Sequence, residues 1–382
     1  MLSTIELEGY RGFKRYRLKG LSRVNLLVGK NNCGKTSILE AVHLLASGAD
    51  PAVLANTAWQ RGEVMVVPER EGYRQRTFPV IAHFFHGHEF GPDAQFFVSS
   101  GDGLGRVAVR VVILDESERP GETSRQRSMF PEPEDLASEE ALARPTLGIS
   151  LETSTHSGGH TLRLPVTDEG ALFPDLLPRY RPVRRWESRE TPPVQFITPD
   201  SLEPRSMSEM WNKVITEGRE SEVIEAMRIL APGLKGIFFL SGDSALRFGA
   251  RGGVLAAFET GRRREPLGSH GDGMRRLLAL SLSLIRSEDG LLLVDEVDTG
   301  LHYSVMGDMW RLLVEAARRS NVQVFATTHS SDCVHGLAWL CENHADLRQE
   351  VSVQKIEADL RQSVALDADE IMLAVSQGME VR

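Results

Sequence analysis

Apolar and polar positions alternate with period two over residues 4–8 and again over 16–21, which predicts two strands near the start of the chain. Residues 24–28 are a short, mostly apolar run ending at Gly29, the pattern of a buried strand. Past a glycine-rich turn, residues 37–46 adopt helical spacing and stop near Gly48. From about 60 to 198 the rhythm changes. Runs at 78–85, 94–98, 107–114, 146–151 and 160–166 read as strands with no helical pattern between them, which predicts an antiparallel sheet. Residues 115–144 are rich in Glu, Ser, Pro and Arg, the composition of a polar loop with room for one short helix at 134–143.

The rest of the chain alternates helix and strand. A helical stretch at 207–230 precedes a strand at 236–240, and a helix at 273–285 precedes a strand at 291–294. A helix at 304–319 leads to a strand at 322–326, and the tail ends in a strand pair and a helix at 367–376. This order implies parallel strands joined by right-handed crossovers. The predicted organisation is an α/β core formed by 1–60 and 195–382, with 61–194 as an inserted β-rich region carrying a polar loop near 115–145.

Composition narrows the class. With 382 residues the chain can form one large domain with an insertion, or two domains. No run approaches the roughly 18–20 apolar residues that span a bilayer, so no membrane partner is expected. The first residues lack the basic and apolar segments of a signal peptide. Cys33, Cys333 and Cys341 have neither metal-ligand nor disulfide-scaffold spacing, and a cytoplasmic location fits all of this. A net charge of −9 opposes a uniformly basic nucleic-acid surface. Two local clusters remain, one with Arg179, Arg181, Arg184 and Arg185, the other with Arg262, Arg263 and Arg264; each is either a local anion contact or a solvated loop.

The chemistry concentrates at the glycine-rich turn. Gly29-Lys30-Asn31-Asn32-Cys33-Gly34-Lys35-Thr36 is a complete phosphate-loop pattern between a predicted strand and a predicted helix that begins at Ser37. Such glycines let successive N–H groups face a phosphate, and the helix N-terminus adds partial positive charge. Lys35 is placed to reach the β- and γ-phosphates of ATP, and Thr36 to offer its hydroxyl to Mg²⁺. The strand at 291–294 carries Asp295 and Glu296 to its C-terminal edge, where ligands sit in open α/β sheets. Asp295 is the candidate Mg²⁺ acid, and Glu296 the candidate base for the attacking water. The strand at 322–326 leads through Thr327 and Thr328 to His329, which either senses the γ-phosphate or simply caps a strand. Ser269-x-Gly271-x-Gly273 opens a helix as a second anion-binding turn, which makes sense if it closes over ATP held by another subunit.

In this order, with Asp298-Thr299-Gly300-Leu301-His302 between, the motifs resemble those of ABC-type P-loop ATPases. The opening residues 5–13 and 23–32 resemble the soluble AAA/ABC-like branch containing the OLD, RecF and SMC-like proteins. The resemblance covers about 1–60 and 195–382. It implies a mixed or parallel sheet flanked by helices and a homodimer formed head-to-head around ATP. Each site would join Lys35, Thr36, Asp295, Glu296 and His329 of one copy to Ser269 and Gly271 of the other, with Asp298 linking the sites. It also implies a protein partner (a nuclease or effector) or DNA, in DNA repair, recombination or anti-phage defence.

Departures set limits on that resemblance. The turn at Ser269 is not the Leu-Ser-Gly-Gly-Gln of transporters, no heptad arms are present, and the stretch after His329 lacks an acidic Toprim cluster. Gln60 is the candidate glutamine-loop residue. A second reading is an ATP-regulated nuclease or effector with its own metal site, for which His83, His86, His88 and Glu89 are the candidates. On a strand, however, His86 and His88 face one side and His83 the other. A transporter ATPase subunit is the third.

Overall fold

The computed structural model describes residues 1–68, 75–114, 146–155, 158–173, 191–200, 202, 204–240, 253–261, 263–357 and 359–379. The polar loop at 115–144, the arginine cluster at 179–186 and Arg262 lie outside them. The chain divides into two compact units, one of Met1–Ser3, Leu18–Leu39 and Pro192–Arg382, the other of Thr4–Arg17 and Glu40–Thr191.

The first unit is built on strands that are apolar on both faces. β3 (Val24–Val28), β14 (Leu291–Val294) and β15 (Gln323–Thr327) are buried at every position, as strands covered by helices on both sides must be. With β10 (Val194–Ile197), β16 (Val351–Lys355) and β17 (Val364–Leu366) they form a sheet in the order β10-β14-β15-β3-β16-β17. All neighbours are parallel except β17, which pairs antiparallel with β16. Asn25 makes the centre of this sheet specific. Fully buried on β3, it donates to the Val324 carbonyl of β15 and accepts from the Ser352 hydroxyl of β16, so no polar atom of the amide is stranded.

Helices α5 (Asp272–Arg286), α6 (Met306–Arg319), α7 (Ser331–Asn343) and α8 (Ala368–Ser376) contribute buried faces to this unit. Trp310 of α6 is fully buried and donates its indole N–H to the Cys333 carbonyl of α7, at 2.9 Å. Two shorter helices, α3 (Pro204–Thr216) and α4 (Glu220–Met227), stand where one helix over 207–230 is predicted. Gly218 explains the break: at φ 69° it turns the chain left-handed, and the Arg219 amide returns to the Val214 carbonyl. Strands β11 (Leu234–Phe239), β12 (Val254–Phe258) and β13 (Glu265–Pro266) form a small antiparallel sheet, and β11 and β12 pack on the helices α3, α4 and α5.

The second unit is the antiparallel β region. Its sheet runs β2-β1-β6-β7-β8-β9, from β1 (Thr4–Tyr10), β2 (Phe13–Lys19), β6 (Gln95–Ser100), β7 (Arg106–Ile113), β8 (Leu147–Thr155) and β9 (Gly158–Val166). Residues 4–17 and 40–60 belong with this unit, whereas the sequence groups them with the α/β core. The reason is pairing: β1 lies antiparallel to β6, with Ile5 opposite Ser100 and Glu8 opposite Phe97. The hairpin of β4 (Val64–Pro68) and β5 (Gln75–Pro79) and the helix α2 (Pro51–Gln60) complete it, with Gln60 exposed at the helix end.

The predicted strand at 78–85 ends at Pro79. Ala82–Phe84 and His86–His88 are 3-10 turns instead. Adjacent Phe84 and Phe85 are both buried, which a strand with one solvated face cannot achieve, and the chain curls to bury them. The curl pairs His83 with His88, Nδ1 to Nδ1 at 3.1 Å, and sends His86 to the Arg11 carbonyl at 2.9 Å. Among the described residues no group of three or more His, Cys, Asp or Glu side chains is arranged to hold a metal ion. Among them, too, no helix is long and apolar enough to cross a membrane.

His43 of helix α1 (Lys35–Ala46) is a titratable group with a thermodynamic consequence. Burial pushes the pKa of His43 down to about 4, partly opposed by Asp50. Between that value and the unfolded value near 6.5 the unfolded chain binds the extra proton, so stability falls as pH drops through this window. We expect a loss on the order of 2 kcal/mol from this residue. Urea denaturation of His43→Gln at pH 7.5 and 4.5 checks it: the variant should lose less stability than the parent on acidification.

Candidate nucleotide site

β3 delivers the chain to Gly29, whose φ of 147° and surroundings both demand glycine: a Cβ there would sit 2.4 Å from the Ile356 carbonyl oxygen. Asn32 and Gly34 also take positive φ, at 62° and 97°, and the loop then enters α1. The amides of Asn31, Asn32 and Gly34 have no protein acceptor among the described residues. Lys30, Asn31 and Asn32 are exposed, and Cys33, Lys35 and Ser37 are buried beneath them. Lys35 is 4% exposed. Its Nζ donates to the carbonyls of Gly29 (2.7 Å) and Lys30 (3.0 Å), and lies 3.4 Å from Nδ1 of His329. Burial holds its pKa below the ordinary lysine value, partly offset by Cys33, Asp295 and Glu296 nearby. A buried ammonium held by neutral acceptors, beside three uncommitted amides, fits a polyanion such as a triphosphate.

β14 and β15, adjacent and parallel, carry the acidic side of the site. The Thr36 hydroxyl is 3.1 Å from both carboxylate oxygens of Asp295. Thr327 donates to Asp295 Oδ1 at 2.6 Å and accepts from the Glu296 amide at 2.8 Å. Glu296 follows at φ 49°, a left-handed conformation that costs a glutamate energy and is typical of functional turns. Its Oε2 accepts from Thr299, and its Oε1 is 3.9 Å from Nε2 of His329. Glu296 and His329 are both about two-fifths exposed, the state of groups that can meet a solvent-borne ligand. Asp298 accepts from the Thr328 hydroxyl at 2.6 Å.

One set of predicted residues is therefore brought together: Gly29 to Ser37, Asp295, Glu296, Asp298 and His329. Ser269 and Gly271 are not in that set. They are exposed on the 3-10 turn Leu267–His270 and the start of α5, and neither makes a hydrogen bond to it. Gly273 does pack near it, since a Cβ there would stand 2.7 Å from the Gly300 carbonyl oxygen. Two residues that sequence reasoning passes over, Thr327 and Arg276, hold the acidic turn. Arg276 donates to the carbonyls of Thr198 (2.6 Å), Asp295 (2.6 Å) and Glu296 (2.7 Å). Its signal in the sequence is a cation three residues past Gly273 and four before Leu280, on a helix otherwise buried along that stripe.

Comparison with known proteins follows the same division. Residues 1–73 match the family model described as "AAA ATPase domain", and residues 237–332 match "AAA domain, putative AbiEii toxin, Type IV TA system". These matches contain the phosphate loop and the Asp295–His329 segment respectively. Both segments that carry the site are thus similar to AAA-type ATPase domains. Across 348 residues it is 20% identical to a protein of Helicobacter pylori described as an ATP/GTP phosphatase, covering 87% of this chain and 86% of that one. Other similarities are local. An uncharacterized protein of Methanocaldococcus jannaschii is 40% identical over 50 residues, 13% of this chain and 23% of that protein. The DNA replication and repair protein RecF of Acinetobacter baylyi is 49% identical over 47 residues, 12% of this chain and 13% of RecF. Among solved structures, an SMC head bound to the C-terminal winged-helix domain of ScpA overlaps 97% of this chain and 99% of its own, at TM-score 0.48 and 13% identity. The placement of the candidate site residues rests on the geometry of this chain, in which the Asp295 carboxylate meets Thr36 at the head of α1.

Proposed function

We propose that the protein binds and hydrolyses ATP in a composite site, completed when two copies meet head-to-head, and that this closure switches a partner protein or grips DNA. The observation that supports it most is the junction of Thr36, Asp295 and Thr327 beside the buried Lys35. Thr36 and Asp295 are the residues that would hold Mg²⁺, which when bound neutralises charge on the phosphate oxygens. Lys35 would release its two loop carbonyls to donate to the β- and γ-phosphates. Amides of the 29–34 loop would orient the same phosphates, and Glu296 would accept a proton from the attacking water. His329, between Lys35 and Glu296, is suited to report whether the γ-phosphate is present.

Ser269 and Gly271 are exposed and make no hydrogen bond to the phosphate loop or the acidic turn of the same copy, as expected of groups that serve a second copy. The RecF relative supports a setting in DNA repair or recombination, and the toxin–antitoxin wording of the second family model supports defence beside a separately encoded nuclease or effector. A mixing experiment tests the composite site. Lys35→Ala and Ser269→Arg proteins should each be inactive alone. Mixed in equal amounts they should recover roughly a quarter of parental turnover, because half the dimers keep one intact site of two. A mixture as inactive as its components rules out sharing between copies.

A further inference from the structure

Among the described residues Arg276 is the largest fully buried polar side chain, 2% exposed on the first turns of α5. Its three acceptors are all main-chain carbonyls just past strand ends: Thr198 after β10, then Asp295 and Glu296 after β14. Those two strands are parallel neighbours, with Ile197 opposite Val294. Burial lowers the guanidinium pKa to about 10, which leaves it charged near neutral pH. Three short charge-assisted bonds offset the cost of that burial. From the other side, the Thr327 hydroxyl holds the Asp295 carboxylate and the Glu296 amide. The turn so clamped keeps Glu296 at positive φ, a conformation that persists only where its surroundings enforce it. Three residues before Arg276, Gly273 packs against the Gly300 carbonyl, so the start of α5 touches the acidic loop at two points.

We propose that Arg276 is a positioning residue that ties the backbone of the Asp295–Glu296 turn to α5, so that the placement of both carboxylates follows the Ser269–Gly273 turn at that helix's start. The inference rests on the ATPase reading above. It predicts that loss of the guanidinium harms turnover more than nucleotide binding, and loosens one loop rather than the sheet.

The experiment uses the full chain with Arg276→Met, Arg276→Lys and, as control, Lys35→Met. In the nucleotide-free protein, hydrogen exchange of a peptide covering 295–301 should quicken by roughly tenfold in Arg276→Met, with residues 24–28 unchanged. Its kcat should fall between roughly tenfold and a hundredfold, while affinity for a fluorescent ATP analogue stays within about threefold. Arg276→Lys should recover part of both losses, since an ammonium reaches carbonyls without the planar fork. Unchanged kcat, or equally faster exchange across 24–28, would overturn the proposal. If the Met variant does not fold, the Lys variant decides: lowered kcat with retained affinity supports the clamp, and parental kcat removes it. Should the parent fail to hydrolyse ATP, or Lys35→Met match it, the ATPase reading fails, and the exchange measurement alone judges the clamp.

Discussion

Glu296→Gln should abolish most ATP turnover while leaving ATP binding intact. The substitution keeps the side chain's shape, and the amide oxygen can still accept from Thr299, so the strained turn has no reason to rearrange. What it removes is a carboxylate able to take a proton from water, a loss worth roughly a hundredfold to ten-thousandfold in rate. Because the phosphate loop is untouched, the variant should bind ATP as the parent does. With the hydrolytic exit closed, the ATP-bound form should accumulate, and mass action should then favour whatever assembly ATP bridges. Size-exclusion chromatography coupled to light scattering, with and without Mg-ATP, reads this directly. A monomer at all nucleotide concentrations would remove the head-to-head model, and turnover within threefold of the parent would remove Glu296 as the base.

Lys35→Met should eliminate nucleotide binding without destabilising the empty protein. A buried ammonium held by two carbonyls and near an imidazole is a poor source of stability. Its lowered pKa has a definite sign. In the window between the folded and the unfolded lysine values, the unfolded chain binds more protons, so stability rises with pH there. The charged form is the one the fold disfavours. Met fills similar volume with no charge to desolvate, and the empty variant should melt at or above the parental temperature. The parent, in contrast, should gain stability from Mg-ATP, about 2.7 kcal/mol at a hundredfold excess over Kd, and the variant should gain none. Differential scanning fluorimetry across an ATP titration distinguishes these outcomes. A variant that still responds to ATP would place the nucleotide elsewhere.

Much of this site is legible in the sequence because its chemistry is local. Gly29 to Thr36 is contiguous, with a buried strand before it and a helix after, and Asp295 and Glu296 close an apolar run. Thr327 and Arg276 escape a linear reading because their partners come from elsewhere. Thr327 meets Asp295 across neighbouring strands, and Arg276 reaches a carbonyl 78 residues upstream. The elements show the same pattern. Helix α7 is announced only by its cap, in which Ser330 accepts from the Asp332 amide, while Gly336 weakens its helical signal. The aromatic pair Phe84 and Phe85 suits a strand by propensity, and only the burial of both rings shows why the chain curls there. Strand β1 has the expected alternation, but alternation does not name a partner, and its partner is β6.

The central position of β3 also governs when the site can exist. Its hydrogen-bonding neighbours on both sides, β15 and β16, lie about three hundred residues further along: Val24 is opposite Val324 on one edge and Val351 on the other. During synthesis this apolar strand emerges well before either neighbour, with neither edge covered. Until residue 327 has left the ribosome β3 offers two open edges to any other extended chain, and until residue 355 it still offers one. Pairings of such sequence separation form slowly and expose a folding chain to aggregation. The phosphate loop that β3 supports is thus translated long before the strands that complete its sheet. Expression yield should depend on chaperone supply more steeply than the stability of the finished fold would suggest.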